Sequence, residues 1–193
     1  MNRQPVGVVV FDLGGVVVRI ARTWRARASA AGLPAVDVER SEAALTACWD
    51  GVMALQRGEI TTEALAAQIC REAGDVHPVS DVVLALNSQL LGPFDGVAGL
   101  AGRLSVPHAI FSNTSADHWK ILLEYEVVRS AKWRVASFQI GAVKPDPQAF
   151  EAFEAATGHP GSTLLFFDDS EQNVRSARAC GWQAERIDPF GNV

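Results

Sequence analysis

The sequence predicts an α/β fold: a parallel sheet sandwiched by helices, with a small all-helical segment inserted after the first strand. Three observations predict it. Apolar runs at Val6 to Phe11, Pro107 to Phe111 and Thr163 to Phe167 do not alternate with polar residues, the habit of strands covered on both faces. Helical segments with recognisable ends separate the later runs. From about Ala21 to Gly92 there is no convincing strand, only helix-forming sequence rich in Ala, Leu, Glu and Arg.

The elements follow in order. The first run, VGVVVF, ends on Asp12, with Gly14 and Gly15 behind it to make a tight turn. Within the insert, Gly58 in QRGEI ends one helix and Thr61 caps the next, with Ile60 and Leu65 as its hydrophobic staple. Ser80 is placed to cap a further helix ending at Gly92. The second run leads into Ser112 and Asn113, and Ser115 caps a helix reaching about Tyr125. A weaker run, Arg134 to Phe138, comes next. Asp146 caps a helix with Pro147 at its first position and Gly158 after its last turn. The third run ends on Asp168 and Asp169, and Ser170 caps a helix that stops at Gly181. The expected organisation is a Rossmann-like core, residues 1–20 and 93–193, holding a helical insert at 21–92. No repeat or flexible linker separates the two.

Composition sets the functional limits. The chain has 193 residues, 48% of them hydrophobic and 20% charged, enough to bury a core. A formal net charge of −5 supplies no basic field, so neither nucleic acid nor an acidic membrane surface is an expected partner. Cys48, Cys70 and Cys180 are odd in number and lack a CxxC pair, which points to reduced thiols and a cytoplasmic location. Asp12 interrupts the one candidate signal-peptide segment, and no apolar run is long enough to span a bilayer. Oligomeric state is not legible.

In an open parallel sheet, ligands bind beyond the carboxyl ends of the strands. Asp12, Ser112 with Asn113, and Asp168 with Asp169 all stand at such ends, and Lys144 comes from the GAVKPDP loop between them. Three close carboxylates repel unless a cation joins them, and an all-oxygen set favours Mg²⁺ over zinc. Ser112, Asn113 and the amides of the helix capped by Ser115 suit phosphate oxygens, while Lys144 and Mg²⁺ can neutralise a transferring phosphoryl group. On this reading Asp12 is either a metal ligand or the nucleophile. Asn173, one helical turn past Asp169, either supports the metal site or is a helix-surface amide. Trp24, Trp49 and Arg57 of the insert are candidates to line a substrate pocket, with packing favoured for the two tryptophans.

Asp12 in FDLGG, Ser112 in IFSNT, Lys144 in VKPDP and the acidic pair in FFDDS together resemble the haloacid dehalogenase superfamily, most of whose members are phosphatases. The likeness covers nearly the whole chain. Its spellings are similar to the branch of sugar-phosphate phosphatases and the N-terminal phosphatase domain of epoxide hydrolases. The resemblance implies that Asp12 is nucleophile and metal ligand, that the Gly14 carbonyl, Asp168 and Asp169 complete a Mg²⁺ site, and that Ser112 binds phosphate. Lys144 would bridge phosphate and nucleophile, and the insert would be the superfamily's small cap. The phosphatases of that family usually carry a second aspartate two residues after the nucleophile to protonate the leaving group, where this chain has Gly14. His118 is the nearest substitute, although its place near a helix N-terminus disfavours the imidazolium. The expected function is a Mg²⁺-dependent phosphatase of a small phosphorylated metabolite, a sugar phosphate among the candidates. The alternatives are a dehalogenase that uses Asp12 on carbon, and a weak or inactive binding protein of the same fold.

Overall fold

The computed structural model describes residues 5–34 and 36–188; the outermost residues of the expected core segments, 1–4 and 189–193, lie outside them. Along the chain, β1 (Val8–Phe11) turns into β2 (Val18–Ile20). Five helices follow: α1 (Trp24–Ala30), α2 (Val38–Ala47), α3 (Trp49–Gln56), α4 (Thr62–Glu72) and α5 (Val79–Asn87). The chain returns on β3 (Leu90–Pro93), antiparallel to β2. Then come α6 (Val97–Ala101), β4 (His108–Ser112), α7 (Ala116–Leu122), α8 (Glu126–Arg129), β5 (Trp133–Ala136) and α9 (Ser137–Ile140). Finally come α10 (Pro147–Thr157), β6 (Leu164–Asp168), α11 (Glu171–Ala179) and β7 (Gln183–Arg186).

The main sheet runs β5-β4-β1-β6-β7, and every pairing in it is parallel. Because successive side chains of a strand face opposite ways, β1 feeds two cores. Val8 and Val10 join Phe111, Phe150, Phe153, Phe166 and Trp182 on one face. Val9 and Phe11 join Ile110, Leu122 and Val128 on the other. This double burial is why the run does not alternate. The chain builds outward from β1 through β4 to β5, then crosses to β6 and β7 on the other side. The reversal beside β1 leaves a crevice at the carboxyl ends of β1, β4 and β6, the position where such sheets bind ligands. The five helices between β2 and β3 carry a core of their own around Trp24, Leu65, Ile69, Val82 and Leu86.

Several caps match their sequence signals. The Thr61 hydroxyl accepts from the Ala64 amide at 3.2 Å, Ser115 from His118 at 3.3 Å, and Asp146 from Gln148 at 3.1 Å, with Pro147 at the first position of α10. Other elements differ from expectation. Neither strand of the β2–β3 ribbon was expected; Gly92 and Pro93, in its second half, are poor strand formers tolerated only in short edge pairings. Helix α5 begins after Pro78 rather than at Ser80, and ends at Asn87 rather than Gly92. Strand β7, sequence QAER, went unpredicted because an edge strand needs no apolar run. The Ser115 helix stops at Leu122, short of Tyr125. Trp24 is packed at 1% exposure, but Trp49, the first residue of α3, is 60% exposed, since α3 has no buried face at its start. The three cysteines are free. No helix among the described residues is long and apolar enough to cross a membrane.

Candidate active site

The crevice is organised around a buried ammonium. Lys144 Nζ lies 2.9 Å from Asp12 Oδ1, 2.8 Å from Asp168 Oδ2 and 2.9 Å from the Phe111 carbonyl oxygen, so all three of its protons have acceptors. The rings of Phe111 and Phe166 lie 5.1 Å and 4.9 Å from the same nitrogen and exclude water from beneath it. Asn113 fixes the loop that delivers the lysine: its Nδ2 donates to the Lys144 carbonyl at 2.8 Å and its Oδ1 accepts from the Lys144 amide at 2.9 Å. The Asn113 side chain is therefore committed, and what this residue offers a phosphate is its backbone.

Asp168 is held as firmly. Its Oδ1 accepts from the Ser170 amide at 2.8 Å, and Asn173 Nδ2 donates to both of its oxygens at 3.1 and 3.0 Å. With Lys144 on Oδ2, this carboxylate is placed to orient the lysine. Asn173 thus faces inward on Asp168. Asp169 differs: its side chain pairs with the guanidinium of Arg22, which β2 brings back over the rim. One carboxylate oxygen from each of Asp12, Asp168 and Asp169 lies within 4.8 Å of the others. The donors are all oxygen, and Lys144 and Arg22 answer only two of the three negative charges, so the set fits a hard divalent cation. Gly14 lines the same cavity, and Gly15, at φ +84°, passes so close to Asp169 that a Cβ there would collide with its carboxylate.

Burial pushes the Asp12 carboxyl up to about 6 from 3.8; Lys144 opposes the rise, and Asp168 and Asp169 add to it. Burial also works against the Lys144 ammonium, but Asp12 and Asp168 outweigh it and hold the lysine above its ordinary value. Lys144 thus favours the Asp12 charge, while the neighbouring carboxylates oppose it.

A cavity of about 200 Å³ opens above the rim. Asp12, Gly14, Ser112, Asn113, Lys144, Asp169 and Asn173 line one wall; Arg27, Gln56, Leu65 and Asn87 belong to the wall formed by the insert. A family model described as haloacid dehalogenase-like hydrolase matches residues 6–181, which is most of the chain. The chain is a haloacid dehalogenase-like hydrolase. Among solved structures, a HAD family enzyme, bt-2542 from Bacteroides thetaiotaomicron, superposes with a TM-score of 0.79 over 98% of this chain and 97% of that one at 22% identity. Its complex with magnesium and inorganic phosphate superposes with a TM-score of 0.76. An L-2-haloacid dehalogenase from Xanthobacter autotrophicus reaches a TM-score of 0.70 at 18% identity, over 94% of this chain and 77% of that one. These likenesses concern the fold. In sequence, the chain is 42% identical over 59 residues to the Phosphatase MT3486 of Mycobacterium tuberculosis; the match covers 31% of this chain and only 27% of that protein.

The hydrolase places its remaining candidates unevenly. His118 lines the cavity, but its Nε2 donates to the Leu86 carbonyl at 3.0 Å and burial lowers its pKa. The neutral ring therefore carries its one proton on the nitrogen facing α5, with none left to give. Arg57 lies outside the cavity lining and pairs with Glu59 at 2.7 Å. Its neighbour Gln56 is in the lining instead.

Several residues escaped sequence reasoning. The Ser137 hydroxyl donates to the Gln56 carbonyl at 2.6 Å and accepts from the Thr114 amide at 2.9 Å, tying the insert to the rim. The weak run reads as Arg134 to Phe138, but its strand β5 stops at Ala136, so the strand-end rule that singled out Ser112 would have found this serine had the run been ended there. Arg22, Arg27, Gln56 and Asn87 carried no comparable signal. Among the described residues, three buried side-chain atoms have no hydrogen-bond partner: Trp24 Nε1, Gln56 Oε1 and Asn87 Oδ1. The last two belong to residues lining the cavity. Each such orphan costs about 1–3 kcal/mol.

Proposed function

We propose that this hydrolase is a Mg²⁺-dependent phosphatase of a small phosphorylated metabolite, working through an aspartyl-phosphate on Asp12, with residues 21–92 serving as its cap. The observation that carries the reading is the placement of Lys144 between Asp12 and Asp168 at the floor of a cavity whose rim also holds Ser112 and Asp169. The magnesium and phosphate bound by bt-2542, and the phosphatase name of the Mycobacterium relative, support it. Asp12, Asp169 and the Gly14 carbonyl would hold Mg²⁺, with Asp168 behind them. Bound there, the ion supplies positive charge to the phosphoryl oxygens and keeps Asp12 ionised.

In the first step a carboxylate oxygen of Asp12 forms a bond to phosphorus as the ester P–O bond breaks. Lys144 holds the attacking carboxylate in place and faces the charge developing on the phosphoryl oxygens, and the Ser112 hydroxyl donates to one of them. The leaving oxygen takes its proton from water, since Gly14 has no side chain to give one. In the second step water attacks the acyl phosphate, releasing inorganic phosphate and restoring Asp12.

Asp12→Asn tests this on an aryl phosphate with Mg²⁺. Activity is expected to fall by about three orders of magnitude or more; unchanged activity would overturn the nucleophile. Gly14→Asp probes the missing proton donor. A Cβ at Gly14 meets only the flexible Ile20 side chain, at 3.2 Å, so the carboxyl can be accommodated. Turnover of alkyl phosphates is expected to rise by about a hundred-fold, the low end of general acid catalysis, with little change on aryl phosphates, whose leaving group needs no proton.

A further inference from the structure

Arg22 stands where the insert leaves the core, just after β2. The turn after β1 doubles the chain back, with the Gly15 amide donating to the Val18 carbonyl at 2.8 Å and the Val18 amide to the Leu13 carbonyl at 2.7 Å. β2 then runs beside β3, and the Ala21 amide donates to the Gln89 carbonyl at 2.8 Å, so the residue before Arg22 is pinned. From that point the guanidinium reaches Asp169, and both residues line the cavity. The chain leaves room for the pair. A Cβ at Gly15 would collide with the Asp169 carboxylate and stand 2.6 Å from Arg22 Nη2, and the backbone there, at φ +84°, also calls for glycine. The two cations of the rim differ in kind. Lys144 is buried, and its three protons have acceptors in the core. The Arg22 side chain is 46% exposed, against 15% for the Asp169 side chain it holds. A pair between a half-exposed cation and a carboxylate at a rim is weak, and the long side chain can change partner at small cost.

Building on the phosphatase reading, we infer that Arg22 is an exchangeable cation: it neutralises Asp169 in the metal-free protein, yields that carboxylate to Mg²⁺, and then donates to the phosphoryl oxygens of the anion the loaded site takes. Two considerations carry this. The first is competition. Asp169 belongs to the oxygen set that fits a divalent cation, and a guanidinium and a divalent cation beside one carboxylate repel, so each works against the binding of the other. The second is the balance of charge. Asp12, Asp168 and Asp169 against Lys144 and Arg22 leave the ionised rim with one negative charge. A divalent cation turns this into one positive charge, which attracts a phosphate dianion; without Arg22 the loaded rim would be neutral. The released guanidinium also has the right shape, since its planar fork can donate to two phosphate oxygens at once, which an ammonium does not do. Metal binding thus frees the donor and sets the charge that draws the substrate. Arg22 makes the anion site depend on the metal.

The test uses the full chain and two calorimetric constants: Kd for Mg²⁺ on protein stripped of metal, and Kd for inorganic phosphate in saturating Mg²⁺. In Arg22→Gln, Mg²⁺ is expected to bind about three- to five-fold more tightly than in wild type, because its competitor is gone. Phosphate is expected to bind the same variant about ten-fold more weakly, having lost a charged donor. Arg22→Lys keeps the charge and should bring both constants back toward wild type. The opposite signs separate an exchanged cation from one that merely holds the rim in shape, whose loss would weaken both ligands. Mg²⁺ affinity unchanged or weakened in Arg22→Gln overturns the inference. So does phosphate binding that is unchanged by the substitution or absent from wild type, and so does Arg22→Lys behaving as Arg22→Gln does. The phosphatase reading is decided separately, by hydrolysis of an aryl phosphate by wild type. If none is hydrolysed that reading fails by itself, and the two binding constants still decide the role of Arg22.

Discussion

The two walls of the cavity solve opposite problems. On the core wall the buried polar groups around Lys144 are paired with one another: Lys144 has three acceptors, Asp168 has donors on both oxygens, and the Asn113 side chain closes a two-way bond with the lysine backbone. On the insert wall Gln56 and Asn87 keep buried acceptors without donors. A wall that meets its own needs is already arranged for charge before substrate arrives, which favours chemistry. A wall built from the ends of several short helices is free to differ in what it contacts, which favours selection. The contrast makes quantitative demands.

The sharpest way to break the core wall is Lys144→Met. The change fits the volume but leaves Asp12 and Asp168 buried without their cation. Removing one partner of a buried ion pair costs about 3–5 kcal/mol, which in a chain of this length lowers Tm by roughly 10 °C or more. The metal-free variant should melt that much earlier than wild type, and Mg²⁺ should return part of the loss by re-pairing Asp12. A loss below about 3 °C would mean that the network does not hold the rim together.

How much of this was legible in the sequence follows the same division. Asp12, Ser112, Asp168 and Asp169 could be read because each stands where an apolar run stops, and a parallel sheet gathers such ends at one rim; Lys144 is read from the GAVKPDP loop between them. The insert wall had no equivalent rule. Its residues depend on which face of a short helix turns toward the core, and one residue is a rotation of about 100°. Arg57 was flagged for the pocket, yet it is Gln56 that lines the cavity while Arg57 turns out to Glu59. Arg22 reaches Asp169 only because β2 doubles back, and the Gly92–Pro93 end of its partner strand concealed that ribbon.

The second effect concerns what the core wall sacrifices for its charge. Burial raises the Asp12 carboxyl to about 6 against 3.8 unperturbed, so the fold prefers the protonated form. Such a group contributes stability that is fully present below about pH 4 and is lost as pH rises through 6. At pH 7.5 the ionised carboxylate is therefore a burden of up to about 3 kcal/mol. Metal-free Asp12→Asn is expected to melt above wild type at pH 7.5, with the advantage shrinking between pH 6 and 4. Saturating Mg²⁺, which binds wild type and favours the ionised form, should shrink or reverse it. Melting curves across that range check the sign, and an advantage independent of pH would refute the account.

The smallest effect is the most informative about how the walls are joined. Among the hydrogen bonds that span them are those from Ser137 to the Gln56 carbonyl, from His118 to the Leu86 carbonyl, and from Thr62 to Asp117. Ser137 is the most demanding of these, because its hydroxyl also accepts from the Thr114 amide, so Ser137→Ala strands a donor on one wall and an acceptor on the other. The cost is about 1–2 kcal/mol, a Tm loss of a few degrees. The kinetic signature discriminates more than the melting point. If the bond serves only to hold the fold, Tm drops and the kinetic constants stay; if it fixes the height of Gln56 above Lys144, KM for the preferred phosphate ester rises several-fold while kcat on an aryl phosphate holds. The expectation is the second. Lys144 and its partners are unaffected by the loss, whereas the Gln56 backbone, at the end of α3 in the cavity wall, loses its tie to the core.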